Sequence, residues 1–216
     1  MKANYYYYKE LGRRVIHIDM SLSSAKQYFA QYLADDIIRA LNQELVAEVL
    51  RDDPVSVFEF GCGQGKNLDL IIRSKYPHPN VSGIDISKKA VDSARRKGRI
   101  YVGLGDEYTL ASKRANFCSV AFTCSVLDHI EQDWIVEKIV KDLQRIARDS
   151  VILLETDRHS PIDYYYYHDY QRMGFTKLDW AYLSSAQREG GDGSIYYMYR
   201  WDSKNKNNNK NEKKNR

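Results

Sequence analysis

At 216 residues, with 43% hydrophobic content and a formal charge of +4, the chain suits one domain with a real core. No apolar run approaches the roughly 20 residues that span a bilayer, and the opening MKANYYYYKELGRR lacks the apolar segment of a secretory signal. Cys62, Cys118 and Cys124 are odd in number and form no CxxC pair, which argues against a disulfide framework or a metal site and for a reducing cytoplasm.

The basic balance belongs to the tail. From Lys204 to Arg216 the chain carries six Lys or Arg against Glu212, which leaves the body at about −1. A near-neutral body argues against a large nucleic-acid surface. KNKNNNKNEKKNR contains no apolar residue and cannot support a packed fold, so residues 204–216 are expected to be a disordered extension.

In chain order, Asp35 to Leu50 sets Ile37, Ile38, Leu41, Leu45, Val46 and Val49 at helical spacing, the clearest element of a helical cap over residues 1–50. Asp53-Pro54 breaks it, and Val55 to Phe60 reads as a short buried strand feeding three glycines. Asn67 to Ser74 resumes a helix until Pro77. Val81 to Ile86 is a second strand, with Ser87 an N-cap for a helix through Lys97. Arg99 to Leu104 and Asn116 to Thr123 follow as strands.

Asp133 is expected to cap a helix to Arg148 whose buried side holds Trp134, Ile135, Ile139, Leu143 and Ile146. Ser150 to Leu154 is a fifth strand. Tyr164 to Met173 reads as helix with Gly174 as its stop. Leu178 to Leu183 and Ile195 to Trp201 form two strands across the turn Glu189 to Gly193, an antiparallel pair. Strands alternating with helices from Val55 to Leu154 predict a parallel sheet with helices on both faces. No second core and no linker appear before Lys204, so residues 1–203 are read as one domain with its core at 54–203.

The glycines decide the chemistry. In FEFGCGQGKN, a P-loop would need glycine where Phe60 stands and Ser or Thr where Asn67 stands. A dinucleotide loop starting at Gly61 and Gly63 would put its third glycine on Lys66, although Gly65 could take over the packing role. Glu59, two residues before Gly61, would repel a pyrophosphate but suits an ammonium or sulfonium. Asp85, at the end of the second strand, can accept two ribose hydroxyls.

These residues resemble the class I S-adenosylmethionine-dependent methyltransferases. Glu59-Phe60-Gly61-Cys62-Gly63-Gln64-Gly65 is similar to the family's ExGxGxG, and Asp85 in GIDIS to the acidic residue after its second strand. Asp106 in GLGDEY, FCSVAFTCSVLDHI and ARDSVILLETD are looser matches, and the likeness runs from Val55 to Asp157. The resemblance implies an α/β, Rossmann-like three-layer sandwich with a mostly parallel seven-stranded sheet and an antiparallel C-terminal strand. It implies S-adenosylmethionine as cofactor and S-adenosylhomocysteine as product. It implies cofactor contacts from Glu59, Gly61, Cys62, Gly63, Gly65, Asn67, Asp85, Ile86, Asp106, Glu107 and Cys124.

Each of these residues has a plainer reading. The glycines could serve a tight turn alone, Glu59 a contact to a helix N-terminus, and Asp85 or Asp106 a cap. Ile86 could be core, and the cysteines small buried hydrophobes. For the transfer itself, His129, Glu155 and His168 are candidates for the base, with Asp128, Asp157 and His159 nearby in sequence. Tyr164–Tyr167 and Tyr170 could line an acceptor pocket, and Tyr5–Tyr8 a closing N-terminal segment.

TCSVLDHI stands where relatives acting on base amino groups carry Asn/Asp-Pro-Pro-Tyr, so the expected acceptor is a small molecule, an oxygen of a sugar or other polar metabolite. RNA and protein acceptors rank lower. The chain would act as monomer or homodimer, away from membranes. An NAD-dependent oxidoreductase on the same sheet and a non-catalytic methyltransferase-like binding subunit remain as alternatives.

Overall fold

The computed structural model describes residues 5–7, 16–18, 45–74, 79–96, 100–156, 166–184 and 194–204. Two short strands, β1 (Tyr5–Tyr7) and β2 (Ile16–Ile18), pair antiparallel, and helix α1 covers 45–50. The expected helical cap thus includes a pair of strands, where Tyr and Ile favour extended pairing over helix. Residues 35–44 of the expected first helix lie outside the described residues.

The core follows as β3 (Ser56–Phe60), α2 (Lys66–Ser74), β4 (Asn80–Asp85), α3 (Lys88–Arg95), β5 (Tyr101–Leu104), α4 (Glu107–Ala111) and β6 (Cys118–Cys124). A single 3₁₀ turn at Leu127–His129 leads to α5 (Asp133–Ile146), β7 (Ala147–Thr156), β8 (Thr176–Ser184) and β9 (Ser194–Asp202). The seven strands lie in the order β5-β4-β3-β6-β7-β9-β8. The β3–β4, β3–β6, β4–β5 and β6–β7 pairs are parallel, and β9 runs antiparallel between β7 and β8. The expected seven-stranded sheet with its antiparallel last strand is what forms.

Period-two alternation sorts the strand residues onto two cores. Val57, Val81, Val120, Phe122, Ile152 and Leu154 pack with Leu68, Ile71, Val91 and Ala94 of α2 and α3. Phe58, Phe60, Ala121, Val151 and Leu153 pack on the other face with Val136, Ile139, Val140, Leu143 and Ile146 of α5. Two helical layers therefore sandwich the sheet.

Several local expectations change. Trp134 is 66% exposed, because the buried stripe of α5 passes through Val136 and Val140 instead. The N-cap of α5 is Gln132, without a side-chain cap bond; the Asp133 carboxylate turns to His168. Residues 166–169 are irregular and 170–174 a turn, not a helix. Tertiary bonds win over propensity there: Tyr166 N–H donates to Asp128 O at 2.7 Å, and the His168 ring is held at both nitrogens. Gly174, at φ +92°, does end that turn. Tyr164, Tyr165, the 189–193 turn and 205–216 of the tail lie outside the described residues.

Arg200 on β9 is 5% exposed and anchors α1 and its following turn. Its guanidinium donates to Glu48 Oε1 at 2.8 Å, to Asp202 Oδ1 at 2.9 Å and to the Asp52 carboxylate. Three carboxylates around one fork hold it fully charged.

Candidate functional site

The strand order reverses between β3 and β6, and at such a switch point the carboxyl ends of the strands part to leave a crevice. Here the crevice is an open cleft of about 440 Å³. Phe60 of β3 with Gly61 after it, Asp85 of β4 with Ile86 after it, and Gly105, Asp106 and Glu107 after β5 form one wall. Ser125, Val126, His129 and Ile130 after β6, with Ile135 and Ile139 of α5, form the other.

The glycine loop is built around left-handed backbone. Gly61, Gly63 and Gly65 all have positive φ, at 74°, 50° and 70°. A Cβ on Gly61 would stand 2.4 Å from Val126 Cγ2, so the loop and the far wall meet at a contact only glycine allows. Gly63 has open space around its missing Cβ, and its N–H donates to Asp85 Oδ2 at 2.7 Å. Gly65 packs toward Ile100 and does the helix-packing job.

Asp85 Oδ1 accepts from Ser87 N–H at 2.8 Å, while the Ser87 hydroxyl caps α3 through Ala90 N–H. In GIDIS, Ser87 caps α3 as expected, and Asp85 fixes the glycine loop while lining the cleft. Each carboxylate oxygen still has a lone pair to offer a hydroxyl. Beside it Ile86 is 78% exposed, an apolar surface displayed to the cleft rather than core.

Asp106 is the N-cap of α4, a helix sequence periodicity did not reveal. Its Oδ1 accepts from Tyr108 N–H, Thr109 N–H and the Thr109 hydroxyl, which holds its pKa below the usual range. It and Glu107 still line the cleft.

Four expected cofactor residues sit behind the loop, outside the cleft lining. Glu59 alternates with Phe58 and Phe60 and so faces α2, where Asn67 Nδ2–H donates to its Oε1 at 2.7 Å. Burial pushes its carboxyl up to about 8, opposed by that bond and reinforced by the charge on Asp85. Cys62 is 5% exposed and packs in the α2–α3 core, its thiol pushed up to about 12 by burial and by Glu59 and Asp85. Its side chain packs as a small hydrophobe with a weak thiol bond to Gly63 O at 3.9 Å, and its backbone N–H donates to Ile84 O at 3.0 Å. Cys124 is likewise pushed up by burial and by Glu59, and is no thiolate nucleophile.

The three candidate bases part company. Glu155 is fully buried: Oε1 accepts from Thr123 Oγ1 at 2.6 Å, and Oε2 accepts from the N–H groups of Val126, Leu127 and Asp128 at 3.0, 3.1 and 3.2 Å. It is the brace of the 3₁₀ turn, not a base in the cleft. Burial and the neighbouring Asp128 charge raise its pKa, and the bonds from Thr123, Asp128 and Val126 oppose the rise.

His168, 1% exposed, is also a brace. Nδ1 meets Asp133 Oδ1 at 2.6 Å, and Nε2 meets the carbonyls of Leu127 and Ile130 at 3.1 and 2.8 Å. His129 alone of the three lines the cleft, its side chain 50% exposed, with buried Asp128 Oδ1 3.8 Å from Nε2. Asp157 and His159 lie outside the described residues.

Apart from His129, sequence reasoning missed the opposite wall. Ser125 stands at φ +51°, a strained position for a side-chain-bearing residue, and its hydroxyl reaches Asp128 at 3.2 Å. Val126 and Ile130 carry no chemical signal in sequence, and Ile135 and Ile139 share the periodicity of the core.

Comparison with known proteins settles the family. Residues 26–193 match the methyltransferase domain family along most of the chain. The chain belongs to that family. S-adenosylmethionine is the cofactor that goes with this membership.

A 74-residue stretch of this methyltransferase domain is 34% identical to trans-aconitate 2-methyltransferase of Rhodopseudomonas palustris (strain BisA53), covering 34% of the chain and 27% of that protein. The chain matches only about a quarter of the length of such curated relatives. Among solved structures, the N-methyltransferase NodS of Bradyrhizobium japonicum WM9 with S-adenosyl-L-homocysteine superposes at TM-score 0.57. That match covers 75% of this chain and 86% of NodS at 14% identity. The magnesium protoporphyrin IX methyltransferase of Synechocystis PCC 6803, also with bound S-adenosylhomocysteine, gives TM-score 0.55 at 18% identity, over 85% of this chain and 89% of its own. At such identities these structures report the fold.

Proposed function

We propose that the protein is an S-adenosylmethionine-dependent methyltransferase that methylates an oxygen of a small polar molecule, a sugar hydroxyl or similar group, by direct displacement. The observation that carries this reading is the pairing of Asp85 with the exposed Ile86 in the cleft: a ribose needs a hydroxyl acceptor and an adenine needs an apolar face, side by side. The cofactor supplies an activated methyl on a sulfonium, so the protein must contribute alignment, dryness and a proton acceptor.

In this reading Asp85 holds the ribose hydroxyls, Ile86 packs the adenine, and Asp106 and Glu107 border it. The backbone of Gly61 to Gly65 lets the methionine part come close, and Glu59 serves its amino end from behind the loop. His129 takes the proton from the acceptor hydroxyl, with Asp128 beside it. The described cleft residues include Asp85, Asp106 and Glu107 but no Lys or Arg, which suits a neutral acceptor better than a polyanion. Residues 54–203 form the catalytic core, 1–50 a cap and 204–216 an appended tail.

The test is calorimetry with S-adenosylmethionine and S-adenosylhomocysteine on wild type and Asp85→Ala. Binding by wild type, weakened at least about tenfold in Asp85→Ala through loss of charge-assisted bonds, supports the reading. A wild-type protein that takes up neither, or takes up NAD(H) instead, refutes it.

A further inference from the structure

Two buried acceptors on the α2 face lack a donor. Glu59 Oε2 and Asn67 Oδ1 are both sealed from solvent without a hydrogen-bond partner, although the two side chains already share the Nδ2–H to Oε1 bond at 2.7 Å. Glu59 is 1% exposed and Asn67 8%. An ionised carboxylate offers acceptors only, so a charged Glu59 cannot relieve either orphan. Buried polar groups are seldom left unmade, and two on one touching pair call for a missing hydrogen.

A single proton supplies it. A carboxylic acid donates through its O–H while its other oxygen accepts, and a primary amide does the converse, so acid and amide close a cyclic pair with every polar atom used. The surroundings favour that proton. Among the described residues, the ionisable groups facing Glu59 are Asp85 from β4, Cys62 from the glycine loop and Cys124 from β6, and none is a cation. Burial and the Asp85 charge oppose ionisation, and Asn67 alone stabilises the charged form.

We propose that Glu59 and Asn67 form a neutral acid–amide pair in the cofactor-free protein, and that Glu59 gives up its proton to solvent when the cationic cofactor binds. The inference rests on the cofactor reading above and adds a proton to it. The Oε2–H bond breaks and the proton passes to buffer. The carboxylate left behind faces the cofactor's ammonium from behind the glycine loop, where the opposite charge favours its ionised form. Asn67 is then a positioning residue: it fixes the Glu59 rotamer and keeps the proton until the ligand arrives. Cofactor affinity should weaken by about tenfold for each pH unit below about 8, because one proton must leave for each ligand bound.

Calorimetric titration with S-adenosylhomocysteine, in pairs of buffers with different ionisation heats, counts that proton. At about pH 7, where the ligand's amine is already an ammonium, wild type should release close to one proton per ligand and Glu59→Gln close to none. Infrared spectra of the cofactor-free protein give a second readout. The carbonyl band of a protonated acid should be present near neutral pH, fade as pH rises past about 8, and shift in Asn67→Ala.

Proton release equal in wild type and Glu59→Gln would overturn the proposal while leaving the function intact. Absence of any binding would overturn the function, yet the infrared titration would still decide the acid–amide pair. A wild-type spectrum without a titrating acid band overturns the pair even if Glu59→Gln does not fold.

Discussion

Replacing Glu59 by Gln should change how stability depends on pH in the cofactor-free protein. A glutamine at this position can still pair with Asn67, since each amide can donate one N–H to the other's carbonyl. What it loses is the titration. The Glu59 carboxyl stands near 8 in the fold against 4.5 for a solvated glutamate, so the folded chain holds the proton more tightly than the unfolded chain. Its contribution to stability is complete below about 4.5 and is lost as pH rises toward 8, after which it levels off.

At 1.36 kcal/mol per pH unit, the gap of about 3.5 amounts to roughly 5 kcal/mol by pH 9, of which roughly 3 kcal/mol is already lost at pH 7. Urea unfolding of both proteins from about pH 5 to 9 measures this directly. The curves should diverge, with Glu59→Gln the more stable by roughly 3 kcal/mol at neutral pH. Parallel profiles would mean that Glu59 is not held protonated by the fold, and the reasoning from its burial would fail.

Gly61→Ala should destabilise by about 2 kcal/mol or more in thermal or urea unfolding, since its Cβ would stand 2.4 Å from Val126 at φ +74°. Gly63→Ala, with open space around the new methyl, should cost only the left-handed backbone, about 1 kcal/mol. His129→Ala should lower kcat by about a hundredfold once the acceptor is identified, and leave the calorimetric cofactor Kd unchanged. Arg200→Met should cost about 2–3 kcal/mol in urea unfolding, because Glu48, Asp52 and Asp202 lose their shared cation.

The parts legible in sequence are those with local chemistry. Gly61, Gly63 and Gly65 announce a loop because positive φ is a backbone property of each residue, and Ser87 announces a cap because its hydroxyl acts three residues away. Asp85 is legible from its place at a strand end. Glu155 and His168 pass for bases because nothing in a linear reading says that Glu155 meets three N–H groups some 28 residues before it. Nor does the sequence tell that His168 is clasped by α5 and the 3₁₀ turn. The helix expected through Tyr170 fails for the same reason: long-range bonds outweigh a local pattern. Asn67 stands out for its place in the loop, but its pairing with Glu59 depends on the turn that folds α2 back over β3.

The junction of α5 and β7 is tight: the helix ends at Ile146, the strand begins at Ala147, and a register shift against β6 between Ala147 and Ser150 already takes up one extra residue. One residue more or fewer there would turn every following side chain of β7 to the opposite face. Leu154 would then point at the 3₁₀ turn, and Glu155 would enter the apolar packing of α2 and α3 with its four donors left behind. Unless a bulge absorbed the change, the wall of the cleft would lose its brace through an edit eight residues away that touches no site residue. The spacing between Ile146 and Glu155 is therefore as much a part of the site as any side chain in it.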